Sequence, residues 1–210
     1  MTDFFVSDTH FYHAKIIEFC NRPYATVEEM NEDMIAKWNG VVGNKDRVFH
    51  LGDFSWGNFE KTKKVFDRLN GQKHLIIGNH DDPRIHKKLG WNWIDKMQEL
   101  RLGDKVYQLC HYPMQSWDKS YHGARHVHGH CHGTVSPHGW RCDVGVDCWG
   151  YAPVSFEQLE KLFAGLPRDG WGKPMPKGKI WNGRDFPYSY QEFFVGDGSA
   201  DDKIPETYTD

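Results

Sequence analysis

The tightest constraint on this chain is a pattern that occurs three times near its start: a short apolar stretch runs into a small residue and then into carboxylate, amide or imidazole side chains. Residues 4–7 lead into Asp8-Thr9-His10, residues 47–51 into Gly52-Asp53, and residues 73–77 into Gly78-Asn79-His80-Asp81. Segments with helical spacing separate them. One begins near Ala14 with Ile16, Ile17 and Phe19 as an apolar face. Another opens on a Thr26/Glu29 capping box and carries Met30, Met34, Ile35 and Trp38 as far as Gly40. A third places Phe59, Val65, Phe66 and Leu69 on one face and closes at Asn70-Gly71. Strands alternating with helices, each strand ending in a polar cluster, predict an α/β sheet with a site at its carboxyl ends.

The later half reads differently. Met97–Leu102 and Lys105–Cys110 flank Gly103-Asp104, a favoured hairpin turn, and Arg125–His128 and residues 140–146 look like further strands. A second, partly antiparallel sheet packed on the first is expected. Residues 154–163 form a last helix, with Ser155 as its cap and Gln158 in the capping-box position. A domain over residues 1–165 is thus followed by a Pro/Gly/aromatic-rich extension, 166–210, that either wraps the domain or is partly disordered.

Composition narrows the function classes. A chain of 210 residues with 39% hydrophobic content suits one domain, and its apolar runs are far shorter than the ~20 residues that span a bilayer. No membrane association is expected. Five cysteines, none spaced as C-x-x-C, suggest neither a disulfide framework nor a zinc ribbon, and with no leader pattern after Met1 they predict a reducing, cytoplasmic setting. A formal charge of -3 gives no electrostatic case for an extended nucleic-acid surface, although a local basic patch stays open.

The 13 histidines are the unusual feature, and several are placed rather than scattered. Asp8 and His10, two apart, would project to one side of an extended strand end and grip one ion. Asp53 has two oxygens able to bridge two cations. Asn79 offers an amide oxygen, His111 ends a fourth strand, and His130-x-His132 repeats the spacing of Asp8-x-His10. Imidazoles, carboxylates and one amide without thiolates suit Mn, Fe, Zn, Ni or Co better than a structural zinc cage or calcium. Two such ions polarise a phosphoryl group and lower the pKa of a bridging water toward ~7, which makes a hydroxide nucleophile at neutral pH.

Asp8-x-His10, Gly52-Asp53, Gly78-Asn79-His80-Asp81, His111 and Gly129-His130-x-His132, in this order, resemble the calcineurin-like metallophosphoesterase superfamily. The resemblance implies a four-layer α/β/β/α sandwich and a centre of two divalent ions, manganese first and Fe, Zn, Ni, Co or Mg as alternatives. It implies Asp8, His10 and His132 on one ion, Asn79, His111 and His130 on the other, and Asp53 between them. His80 would contact the scissile phosphate or protonate the leaving group, and Asp81 would orient His80. Asp53 runs into Phe54-Ser55-Trp56-Gly57 rather than Val-Asp-Arg-Gly, which argues against the phosphoprotein phosphatase branch. Asn21-Arg22-Pro23-Tyr24 and Leu69-Asn70-Gly71 resemble a group of small bacterial and phage members, and Arg22 would supply a bidentate phosphate contact.

The remaining candidates divide between site and core. His13 either reaches the phosphate or begins the helix. His50, His126 and His128 are assigned to packing or to support of the ligands, and Cys131 to a small buried role. Trp91, Trp93, Trp117, Trp140 and Trp149 are assigned to the core or its edge, and residues 116–124 and the tail after Leu166 to the walls of the site. The function expected is hydrolysis of a phosphodiester or phosphomonoester. Its rivals are a small nuclease or cyclic-nucleotide phosphodiesterase, and a non-catalytic protein-binding scaffold of the same fold.

Overall fold

The computed structural model describes residues 1–135, 137 and 139–166. The extension expected beyond the last helix lies outside the described residues from 167 onward.

Burial on both faces makes the first sheet's strands read as nearly continuous apolar runs. Strands β1 (Asp3–Val6), β2 (Arg47–His50), β3 (Gln72–Ile76) and β4 (Ile94–Asp95) are parallel, and β9 (Val154–Ser155) closes the order β4-β3-β2-β1-β9 antiparallel to β1. Side chains alternate across this sheet. Phe4, Val6, Val48 and Leu75 face one apolar core with Met30, Met34, Ile35 and Trp38 of α2 (Val27–Val41) and Val65 and Phe66 of α3 (Phe59–Phe66). Phe5, Phe49 and Ile76 face the other core.

The second sheet completes that other core. Its order is β5 (Met97–Leu102), β6 (Lys105–Cys110), β7 (Arg125–His128) and β8 (Arg141–Asp143), antiparallel at β5/β6 and parallel elsewhere. Tyr107, Leu109 and Val127 meet Phe5, whose ring stacks on Tyr107 with centroids 5.4 Å apart. Leu159, Leu162 and Phe163 of α5 (Phe156–Gly165) join the same core, and Ser155 and Gln158 make the expected reciprocal cap. The architecture is therefore two mixed sheets with flanking helices, as the sequence predicts. On the second sheet's other face His126 accepts a hydrogen bond from the Met114 backbone N–H and lies beside Trp117, so the loop after β6 covers it. No helix among the described residues is long and apolar enough to cross a membrane.

Two local expectations need correction. The helix near Ala14 is one turn, α1 (Ile16–Phe19), and buries Ile16 alone, leaving Phe19 70% exposed. At Thr26 the hydroxyl accepts from Glu29 N–H, but the Glu29 carboxylate accepts from Ala25 N–H instead of Thr26, so the box closes one residue early. The short α4 (Pro83–His86), capped by Asp82, and the strands β4 and β9 carry too few residues for a periodic signal.

The ends of the two sheets meet. Ser7 N–H donates to Val144 carbonyl and Val146 N–H to Ser7 carbonyl, a parallel bridge that joins the end of β1 to the segment after β8. The polar clusters of both halves converge at this seam.

Candidate metal centre

Strand alternation is not what aims Asp8 and His10. Both sit in the left-handed region, with φ of 56° and 49°, as do Asp53, His130 and His132. Five of the nine described non-glycine residues with positive φ are thus expected ligands. Such conformations persist only where surrounding contacts enforce them. Asp8 N–H donates to Gly52 carbonyl and His10 N–H to Asp53 carbonyl, which supplies that enforcement.

Close approach explains two of the glycines. A Cβ on Gly78 would lie 2.2 Å from Asp53 Oδ1, and one on Gly129 would lie 2.3 Å from Asp8 Oδ2. Each carboxylate uses one oxygen to hold a neighbouring loop and presents the other inward. Asp8 Oδ2 accepts from His130 N–H at 2.9 Å, and Asp53 Oδ1 accepts from His80 N–H at 2.9 Å. Asp53 Oδ2 is left 3.6 Å from His10 Nε2 and 3.5 Å from His111 Nε2, midway between the two groups expected to hold separate ions.

The imidazoles are fixed from behind. His111 Nδ1 lies 2.7 Å from Leu51 carbonyl, to which it can only donate, so its Nε2 carries a lone pair. Asn79 turns Oδ1 toward that lone pair at 3.0 Å, acceptor against acceptor. His132 Nδ1 is bonded to Asp147 Oδ2 at 2.7 Å, which leaves Nε2 3.9 Å from Asp8 Oδ1. Burial opposes charge on His132, but Asp147, Cys20 and Asp8 outweigh it and raise its pKa to about 11. Burial pushes the Asp8 carboxyl well up and the His10 imidazole down.

These residues fit a cation. Asp8 Oδ1 and His10 Nε2 are buried with no hydrogen-bond partner among the described residues, 4.0 Å apart and aimed at the same space. Unsatisfied polar atoms so placed are costly unless something else meets them. Asp8, His10 and His132 form one cluster able to hold a metal ion, and Asp8, Asp53 and His111 form another. The separations are within reach of one ion whose bonds to N and O are ~2.0–2.2 Å. The ring of His130 lies 5.1 Å from that of His111 but enters neither cluster.

His80 and His13 stand at the rim. The His80 ring is exposed, 5.6 Å from His10 and 4.9 Å from Trp56. His13 stacks on Trp56 with centroids 4.3 Å apart, and its Nδ1 has no partner among the described residues.

Two expected roles change. Arg22 does not face a substrate: its side chain is fully buried, donating from Nε and Nη2 to Asp147, from Nη1 to Thr9 carbonyl and from Nη2 to Asp8 carbonyl. A guanidinium so committed clamps the Asp8 loop and Asp147, and has no donor for a phosphate. Asp81 does not orient His80, because its oxygens accept from the backbone of Asp53, Phe54 and Gly78 and from His86 Nε2. It fixes the Asp53 turn. Burial works against its ionisation, but the bond to His86 and those from the backbone hold the carboxyl well below its ordinary range.

Sequence reasoning missed Asp147 and Asp143. Asp147 carries both His132 and Arg22, while buried Asp143 accepts from the backbone of Gly133 and Gly145 and so shapes the turns after His132 and β8. Neither lies in a motif. His50 behaves as expected: Gly52 N–H donates to its Nδ1, its Nε2–H reaches Thr9 Oγ1, and Thr9 donates to Phe54 carbonyl.

No family model matches the chain. It is 36% identical over 168 residues to the uncharacterized protein MJ1445 of Methanocaldococcus jannaschii, covering 76% of this chain and 89% of that protein. The Gene 66 protein of Mycobacterium phage D29 is 30% identical over 69% of the chain and 87% of its own length. The protein of unknown function AQ665 from Aquifex aeolicus shares the fold, with a TM-score of 0.64 and 24% identity over 77% of this chain and 98% of that one. The superposition on the E. coli phosphoesterase Yfce (TM-score 0.38, 17% identity, 69% of this chain and 78% of that one) is too loose to bear on chemistry.

Proposed function

The chain belongs to the family of the M. jannaschii protein MJ1445, and from that premise we propose that it is a calcineurin-like, metal-dependent phosphoesterase with two ions at the seam of its sheets. The observation that carries the reading is Asp53 Oδ2, at 3.6 and 3.5 Å from the facing Nε2 atoms of His10 and His111. Asp8, His10 and His132 would hold one ion, His111, Asn79 and His130 the other, and Asp53 both. Divalent ions held there supply positive charge to a phosphoryl group and acidify water, with manganese the first candidate.

The chain's own residues do the rest. Asp147 and the Leu51 carbonyl orient His132 and His111 so that each Nε2 points inward. Asp81 and the clamped Arg22 hold the Asp53 and Asp8 turns, so the donor atoms need not reorganise when substrate arrives. His80, tethered to Asp53 through its backbone N–H, has a free ring at the rim and delivers a proton to the leaving oxygen. His13 contacts the phosphate from the same rim. All five cysteines are unpaired thiols, which supports a reducing, cytoplasmic setting.

The test is hydrolysis of matched chromogenic phosphomonoester and phosphodiester substrates by metal-stripped protein resupplied with Mn, Ni, Zn or Mg. Metal-dependent turnover that disappears in Asp53→Asn is expected. Stoichiometric metal binding without turnover of either ester would overturn the enzyme and favour the scaffold.

A further inference from the structure

Three aromatic side chains that a core would ordinarily absorb stand open around the candidate centre. Trp56 is 51% exposed, whereas Trp38, Trp91, Trp140 and Trp149 are at most 9% exposed. Its indole lies 4.9 Å from the His80 ring and parallel to His13, 11° between planes. Tyr112, 46% exposed, lies 4.8 Å from His130 at the other end of the ligand cluster. Phe19, 70% exposed, packs edge-on against His13 and extends the Trp56 side.

The placement bears on substrate choice. Metal ions and imidazoles meet any phosphate ester alike, and Arg22 is committed elsewhere, so discrimination must come from what surrounds the phosphate. The Trp56 face already takes one flat heteroaromatic ring at stacking distance, that of His13. Beyond that contact the residue is 51% exposed, next to the His80 ring at the rim. Flat nitrogen heterocycles stack on such a surface with little regard to sequence.

Resting on the phosphoesterase reading, we infer that the substrate is a nucleotide ester whose base stacks on Trp56, with Tyr112 as a second wall for the group across the phosphate. The probe pair is thymidine 5′-(4-nitrophenyl phosphate) and the abasic 1-O-methyl-2-deoxyribose 5-(4-nitrophenyl phosphate), which share sugar, phosphate and leaving group. Wild-type protein with Mn should prefer the thymidine ester in kcat/KM by about tenfold or more, chiefly through KM. Trp56→Leu should bring that ratio to about one, and Trp56→Phe should retain most of it. Displacement of His80 or His13 in these variants slows both esters together and leaves the ratio unmoved.

A wild-type ratio near one, or a ratio unchanged in Trp56→Leu, would overturn the stacking role while turnover itself upholds the phosphoesterase. If neither ester is cleaved, calorimetric binding of thymidine 5′-monophosphate against 2-deoxyribose 5-phosphate to the Mn-loaded protein decides. A Trp56-dependent preference then keeps the stacking surface and sinks only the hydrolysis, whereas equal affinities sink the stacking surface too.

Discussion

The two ends of the ligand cluster are built to different standards. At the Asp8/His10/His132 end, Asp8 and His10 are buried, and His132 leans on Asp147, which in turn is gripped by Arg22. At the other end His111 is buried and, among the described residues, braced by a backbone carbonyl, while Asn79 and His130 are exposed. The first end is set by side chains packed into the fold; the second is open, with two of its candidate ligands exposed.

Asp53 is the test of whether the two ends form one unit. Asp53→Asn should empty both and abolish turnover; one tightly bound ion per chain in that variant, read by elemental analysis, would show two independent sites. His80→Ala probes the rim beside His10 and Trp56, with a rate loss of ~10²–10⁴ and unchanged metal content. Loss of metal in that variant would make His80 a structural part of the centre.

Asp147→Ala probes the braced end. It should weaken one of two metal equivalents ~10–100-fold and leave the Arg22 guanidinium buried without its partner, at a stability cost of about 3–5 kcal/mol by chemical denaturation. Equal weakening of both ions would erase the contrast between the ends. The smallest effect concerns the sheet behind the open end, where burial holds the pKa of His126 down to about 3. Kept neutral in the fold, it contributes stability that is present above the ordinary value of ~6.5 and lost as pH falls toward 3. The denaturant midpoint should therefore drop below neutral pH, with a shallower slope in His126→Gln.

What was legible in the sequence follows the same division. Motif residues announced themselves because strand ends, glycines and i, i+2 spacing are local signals, and Asp8, His10, Asp53, Asn79, His111 and His132 do come together. The braces were not legible. Arg22 and Asp147 are separated by 125 residues, and nothing near either hints at the other. Arg22 next to a proline looked like a phosphate ligand because its charge was visible and its burial was not. Asp81 looked like a partner of His80 through adjacency, yet its acceptor sites are filled by the chain's own amides and His86. The left-handed turns were also hidden, since Asp and His carry no obligatory signature for positive φ.

The Arg22–Asp147 clamp carries a consequence for how the molecule comes into being. During synthesis the strands β1, β2 and β3 leave the ribosome early and can pair, but the braced end lacks His132 and Asp147 until most of the domain has been made. Arg22 meanwhile lacks Asp147, its carboxylate partner, so the Asp8 turn, held by Gly52 and Asp53, goes without that buttress. On the proposed reading, metal capture at that end would be a closing event that follows assembly of both sheets, so a nascent chain released before Asp147 should bind no ion there.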